Sequence, residues 1–179
     1  MTTKRFASHY FLRADGTLGQ FPVVTVAGDG FILSVEEHGR AFTETAGVSF
    51  FGGIMLPGFI AFAADGAFFS PARIRQLRLE GFLRFVCNSH IGAMDESRLA
   101  CVADVGLADG CTTLPAFTGQ ADFASKVKQM TLQRAHDLSV YPQWGVLQAG
   151  TSPGIMVVEG IDLRSFSVVK APLFRILIP

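Results

Sequence analysis

At 179 residues the chain can support one hydrophobic core, or a compact body with a small subdomain, but it is too short for a full eight-stranded α/β barrel carrying an added domain. Hydrophobic residues make up 49% of it and charged residues 17%, too much apolar surface for a chain that stays disordered. Fifteen basic residues balance fifteen acidic ones with no long run of one sign. That removes the electrostatic footprint of a nucleic-acid or anionic-membrane binder and leaves small molecules or proteins as the expected partners.

The opening Met1-Thr2-Thr3-Lys4-Arg5-Phe6 leads into mixed polar residues, without an apolar core of signal-peptide length, so export is not indicated. The first third then carries the punctuation of a β-meander. Tyr10–Arg13 meets the turn Ala14-Asp15-Gly16, Phe21–Val26 runs into Gly28-Asp29-Gly30, and Phe31–Glu36 follows. From Gly47 to Ala64 no charge occurs, a stretch of about the length that crosses a bilayer. Gly52-Gly53 and Pro57-Gly58 break it, and no cluster of Lys or Arg flanks it, so buried strands are expected there and no membrane span. Val48–Phe51 and Ile54–Leu56 lead across Pro57-Gly58 into Phe59-Ile60-Ala61-Phe62, an apolar run suited to a strand covered on both faces.

In the middle of the chain Pro71 stands at a first helical position after Ser70, and Ile74, Leu77 and Leu79 lie on a basic helix ending near Gly81. Phe82–Cys87 reads as a buried strand. A second helix is expected over Glu96–Leu107, with Leu99, Val102, Ala103 and Leu107 on one face, and a strand over Cys111–Phe117. Alternating strands and helices imply parallel pairing with right-handed crossovers. A third helix spans about Asp122–Leu138 and stops at Tyr141-Pro142, after which short strands return from Gly145 to the C-terminus. The expected fold class is therefore mixed α/β. A β-sandwich-like domain is built from 1–56 and 143–179, and a shortened parallel α/β layer from 57–142.

The segments Val23-Val24-Thr25-Val26-Ala27-Gly28-Asp29-Gly30-Phe31-Ile32-Leu33-Ser34-Val35 and Gly53-Ile54-Met55-Leu56-Pro57-Gly58-Phe59-Ile60 resemble the entry to the metal-dependent amidohydrolases, the deaminase and chlorohydrolase-like group in particular. Met130-Thr131-Leu132-Gln133-Arg134-Ala135, with Trp144-Gly145-Val146-Leu147-Gln148-Ala149-Gly150-Thr151-Ser152-Pro153-Gly154-Ile155-Met156-Val157-Val158, resembles that family's last barrel helix and its return to the outer β-domain. The resemblance implies an outer β-domain around a shortened barrel. It also implies a His-x-His pair on the first barrel strand, where two imidazoles two residues apart point the same way and grip one metal. Those positions hold Ala63 and Asp65, and the interval between the matching ends is too short for the strands that carry the family's other ligands. No metal site and no cofactor are therefore expected.

In a parallel α/β layer, active groups gather at the carboxyl ends of the strands. Asp65 follows the first strand; Cys87, Asn88, Ser89 and His90 close or follow the second; Thr112, Thr113 and Thr118 lie on or beyond the third. In the functional reading His90 is a general base or a ligand with Asp65 as its orienting carboxylate, Cys87 is a nucleophile, and Asn88, Ser89, Thr112 and Thr113 bind the small molecule. In the plain reading the same stretch is a solvated turn beside a buried, inert cysteine. Cys87, Cys101 and Cys111 are odd in number and lack Cys-x-x-Cys spacing, which points to reduced thiols in a cytoplasmic protein, without a disulfide framework or a zinc ribbon. His9, His38 and His136 have no second histidine at ligand spacing and are expected at the surface. The Gly28-Asp29-Gly30 and Gly52-Gly53 segments precede strands, so they are turn chemistry and not phosphate loops.

Seventeen phenylalanines against two tyrosines and one tryptophan crowd the central segment at Phe50-Phe51, Phe59, Phe62, Phe68-Phe69, Phe82 and Phe85. Core packing accounts for them, or a homodimer interface does, since aromatic residues are enriched in interface cores. The functional expectation is an amidohydrolase-like, non-catalytic protein that binds a small molecule or self-associates. The alternative is a hydrolase working through Asp65, Cys87 and His90.

Overall fold

The computed structural model describes residues 2–43, 45–63, 71–87, 99–101 and 119–179. It is mixed α/β, with one large sheet, one small parallel sheet and a few helices. The large sheet takes strands from both parts of the chain: β1 (Thr3–Leu12), β2 (Leu18–Gln20), β3 (Pro22–Ala27), β4 (Ile32–Glu37), β5 (Ser49–Pro57), β9 (Ile155–Asp162) and β10 (Ser167–Ile178). Its order is β10-β9-β5-β1-β3-β4, with β2 paired to β1. The small sheet holds β6 (Phe59–Ala63), β7 (Phe82–Cys87) and β8 (Leu99–Cys101) in that order, all parallel.

The meander forms, but β1 begins at Thr3 and not at Tyr10. Its first half, Thr3–Ala7, pairs antiparallel with β3, while Phe6–Phe11 also pairs parallel with β5. Pairing with β3, β5 and β2 in turn runs from Thr3 to Leu12 and holds β1 extended by satisfying its backbone groups. The stretches expected as two strands at Val48–Phe51 and Ile54–Leu56 are one strand with a bulge. Ser8 pairs with Phe51 and Tyr10 with Ile54, so Gly52 and Gly53 together face His9. Gly53 has φ +136°, and a Cβ there would collide with the carbonyl oxygen of Val158 and lie 3.0 Å from Val157 Cγ1. Only glycine lets β5 cross this point between its two neighbours.

Pro57 ends β5 and Phe59 begins β6, so the chain passes from one sheet to the other across Gly58. A Cβ on Gly58 would lie 2.5 Å from Leu83 Cβ and 2.9 Å from the Pro153 carbonyl oxygen. The short apolar runs form strands as expected, and α1 (Pro71–Leu79) begins at the expected proline. The helix expected over Glu96–Leu107 is not what Leu99–Cys101 forms. These residues are β8, with Leu99, Ala100 and Cys101 opposite Phe85, Val86 and Cys87. The open edge of β7 offers backbone donors and acceptors that a strand satisfies and a helix cannot, and so tertiary pairing overrides the helical spacing. The strand expected at Cys111–Phe117 lies outside the described residues.

The third helix is continuous, with α2 (Gln120–Lys128), a π-helical turn at Gln129–Gln133, and α3 (Arg134–Asp137). The buried hydroxyl of Thr131 donates to the Val127 carbonyl at 2.8 Å within the widened turn. The C-terminal strands are long, not short, and close the large sheet.

One hydrophobic cluster lies between the two sheets: Ile54, Leu56, Met156 and Val158 from the large sheet meet Phe59, Ala61, Phe82 and Phe85, with Ile74 and Leu77 of α1 and Phe123 and Val127 of α2. The other face of the small sheet, Ile60 and Val86, packs on Ala135, Leu138 and Trp144. Parallel strands buried on both faces need the continuous apolar runs that this segment carries. A further cluster joins Ile32 of β4 to Ile178 of β10, strands at opposite edges of the large sheet. Ile32 N–H donates to the Thr151 carbonyl at 2.9 Å and Gly150 N–H to that of Ile32 at 2.8 Å, so the large sheet folds back on itself around its own core. Phe59, Phe82 and Phe85 are core residues; Phe68 and Phe69 lie outside the described residues.

Candidate functional site

The carboxyl ends of the small sheet are where a ligand is expected, and three described residues stand there in one row. Ala63 of β6 pairs with Cys87 of β7, and Cys87 pairs with Cys101 of β8. Cys87 therefore occupies the strand-end position assigned to it. Asp65, Asn88, Ser89, His90, Thr112, Thr113 and Thr118 lie outside the described residues. Among the described residues no group of three or more His, Cys, Asp or Glu side chains stands together.

The residues beneath this row explain how the strand ends are held. Arg84 sits in the middle of β7, buried, inside an otherwise apolar run. Its guanidinium donates through Nε and Nη2 to the carbonyl oxygen of Ser152 and through Nη1 to that of Leu83, and its Cζ lies 5.6 Å from the centre of the Trp144 ring. Burying a charge is costly unless it is hydrogen-bonded, and here the bonds reach the segment just before β9. Arg134 of α3 donates to the Ile60 carbonyl at 3.2 Å. Two arginines thus tie the small sheet to the segments that follow it. The lone charge in Phe82-Leu83-Arg84-Phe85-Val86 was the signal for this clamp, and the sequence reading passed over it.

The histidines divide. His38 is exposed, its Nε2 3.9 Å from a Glu36 carboxylate oxygen, and His136 stacks on Tyr141 with ring centres 4.0 Å apart. His9 is not a simple surface residue. Its Nδ1 accepts the Gly53 N–H at 3.3 Å, which puts the proton of the neutral ring on Nε2. Its ring also meets Phe21 and Phe50 edge-on at 5.9 and 5.0 Å. It satisfies the donor that the bulge in β5 sets free.

The shifted acids lie at surface turns, away from the strand ends. Glu37 is held below the usual carboxylate range chiefly by hydrogen bonds from Arg13, whose Nη2 and Nε donate to its two oxygens at 2.7 and 2.8 Å. Asp15 is lowered by the hydroxyl and N–H of Thr17, and Asp162 by the N–H of Arg164 and the hydroxyl of Ser165. Each fastens a turn or a strand pair. These are structural pairings of the kind that shift a pKa without marking a reactive centre.

No helix among the described residues is long and apolar enough to cross a membrane. No family model matches the chain, and no curated protein matches it. Among solved structures it is similar to a prolidase-like protein of Bifidobacterium longum, at 16% identity and a TM-score of 0.38, over 75% of this chain and 38% of that one. It is also similar to a Xaa-Pro dipeptidase, at 12% identity and a TM-score of 0.36, over 76% of this chain and 45% of that one. An N-acetyl-D-glucosamine-6-phosphate deacetylase from Mycobacterium smegmatis is similar at 12% identity and a TM-score of 0.34, over 82% of this chain and 38% of that one. The chain thus spans less than half the length of each.

Proposed function

We propose that this chain is a cytoplasmic, amidohydrolase-like protein that has lost the family's metal site and binds a small molecule or a second subunit instead of hydrolysing a substrate at a metal. In this reading 1–56 and 143–179 form a composite β-domain, and 57–142 is what remains of the barrel. The observation that carries it is the end of β6. Pro57 closes β5, Gly58 packs against Leu83, and Phe59–Ala63 runs as a parallel strand with Phe59 and Ile60 fully buried. The last residue of that strand stands where the resemblance implies the first metal-binding imidazole. It is alanine, which has no donor atom. Protein purified without chelator is expected to carry no tightly held zinc or iron. One such ion per chain, whose removal abolishes a hydrolytic activity, would overturn the reading.

Self-association is part of the proposal. With Phe59, Phe82 and Phe85 spent on the core, the phenylalanine-rich face of a dimer would rest on Phe68 and Phe69. Light scattering coupled to size exclusion should return the mass of two chains at micromolar concentration, and the mass of one chain refutes it. One observation favours the alternative, a hydrolase using Asp65, Cys87 and His90: Cys87 closes β7 at the carboxyl end of a parallel sheet. A hydrolytic activity insensitive to chelators but abolished by thiol alkylation would select that reading.

A further inference from the structure

The bulge in β5 leaves the Gly53 N–H to a side chain. Ser8 pairs with Phe51 and Tyr10 with Ile54, and between these pairs His9 Nδ1 accepts the Gly53 N–H at 3.3 Å. On its β9 side Gly53 is crowded by the Val158 carbonyl oxygen. The imidazole is pinned as well. Its ring meets Phe21 and Phe50 edge-on, Phe21 stacks on Phe42 at 5.5 Å, and Phe42 lies against Phe50 at 5.6 Å, so the four rings form a closed circuit. All four residues are only half-buried, which leaves the imidazole within reach of protons from solvent.

From this geometry we infer that His9 is a pH-operated latch at the β1–β5 bulge: the neutral ring holds Gly53 and the protonated ring releases it. An imidazole accepts at Nδ1 only while that atom carries no hydrogen. The imidazolium donates from both nitrogens, so turning the ring restores no acceptor, and the Gly53 N–H then meets a second donor. Histidine is the side chain whose charge changes between about pH 5 and 8. Strand β5 and the stretch Leu18–Ala27 carry no ionisable side chain, and Tyr10 of β1 packs on Phe166. The groups that face the circuit come from the end of β4 and the turn after it. His38 lies edge-on to Phe42 at 6.1 Å, the Glu36 carboxylate lies 3.9 Å from His38 Nε2, and Arg40 stands on the turn before Phe42. Glu37 is held by Arg13. Among the described residues no carboxylate pairs with His9, so protonation loses the bond without gaining an ion pair. The inference does not rest on the function proposed above, because it uses neither the ends of the small sheet nor a dimer face.

Nuclear magnetic resonance of the full-length, isotope-labelled chain reads both partners of the bond. At about pH 8 the His9 ring should carry its hydrogen on Nε2, and the Gly53 amide should be protected from hydrogen exchange. As the pH falls to about 5, that protection, corrected for the pH dependence of intrinsic exchange, should drop about 10-fold, the size of one net hydrogen bond. The midpoint should be that of the His9 ring signals. H9N, whose side-chain oxygen accepts without titrating, should give Gly53 a protection independent of pH, and H9F should leave the amide exposed throughout. H38Q should keep the native transition. Should a His9 variant fail to fold, the shared midpoint in the native chain decides alone. The inference is overturned if His9 stays neutral down to about pH 5, or if Gly53 protection does not follow the His9 titration. It is equally overturned if the transition survives in folded H9N or vanishes in H38Q, or if folded H9F protects Gly53 as well as the native chain does.

Discussion

The seven-stranded sheet is mostly antiparallel and curls around part of its own core, and its outer strands carry exposed side chains, with Leu33 on β4 52% exposed and Val169 on β10 70% exposed. The three-stranded sheet is parallel, and the strands β6 and β7 are covered on both faces by the large sheet, by α1 and α2, and by α3 with Trp144. The large sheet manages its exposed edge locally. Between Val168 and Leu173 the pairing of β10 with β9 is interrupted, and that interval carries Lys170 and Pro172, a charge and a missing N–H that discourage another strand from adding on. The small sheet has no such means of its own for these strands. Its stability comes from layers contributed by residues distant in sequence.

That contrast can be broken experimentally, most severely at the junction. Phe59 is fully buried in the cluster shared by both sheets, with its ring 5.7 Å from that of Phe82 and 5.6 Å from that of Phe174. Phe59→Ala should cost about 4 kcal/mol. If the sheets share one core, far-UV dichroism and Trp144 fluorescence will follow one denaturant transition at a lower midpoint, whereas two separated transitions would show that the large sheet stands alone. Gly53→Ala should cost about 3 kcal/mol, because a side chain meets both a strained φ and the Val158 backbone. Gly150 also has positive φ, +82°, but nothing within 4 Å of the added Cβ, so Gly150→Ala should cost only about 1 kcal/mol. Equal midpoints for the two variants would remove the close approach of β9 as the reason for the glycine.

The smallest effect is at the edge of the large sheet. Glu37 and Arg13 are 31% and 40% exposed at the side chain, and solvent screening holds such a pair to under about 1 kcal/mol. Because the Glu37 pKa is depressed in the folded chain, its contribution is present above the unfolded carboxylate pKa, about 4.3, and is lost as pH falls through the lower folded value. Glu37→Gln should therefore be less stable than the native chain at neutral pH and converge with it in acid. A stability gap that stays constant down the acid limb would show that the carboxylate charge contributes nothing.

Much of the local structure was legible because its causes are local. Gly16 and Gly30 mark the turns of the meander, Pro71 the start of α1, and the apolar runs Phe59–Phe62 and Phe82–Cys87 the two buried parallel strands. Leu99-Ala100-Cys101 escaped because three residues carry no periodicity of their own, and the helical spacing of Leu99, Val102 and Leu107 pointed the other way. The role of His9 escaped for a related reason: the donor it satisfies belongs to Gly53, on another strand.

The amino-acid sequence by itself determined the class of the fold, the places where the chain turns and the absence of imidazoles at the end of β6, since these depend on composition, on backbone freedom and on which atoms a side chain owns. Tertiary structure alone decided that Arg84 is held by the Ser152 carbonyl, and that Cys87 stands opposite Cys101. Each is a pairing between residues distant in the chain. The free energy that selects it is realised only when apolar faces close and leave backbone donors and acceptors to be satisfied across the gap.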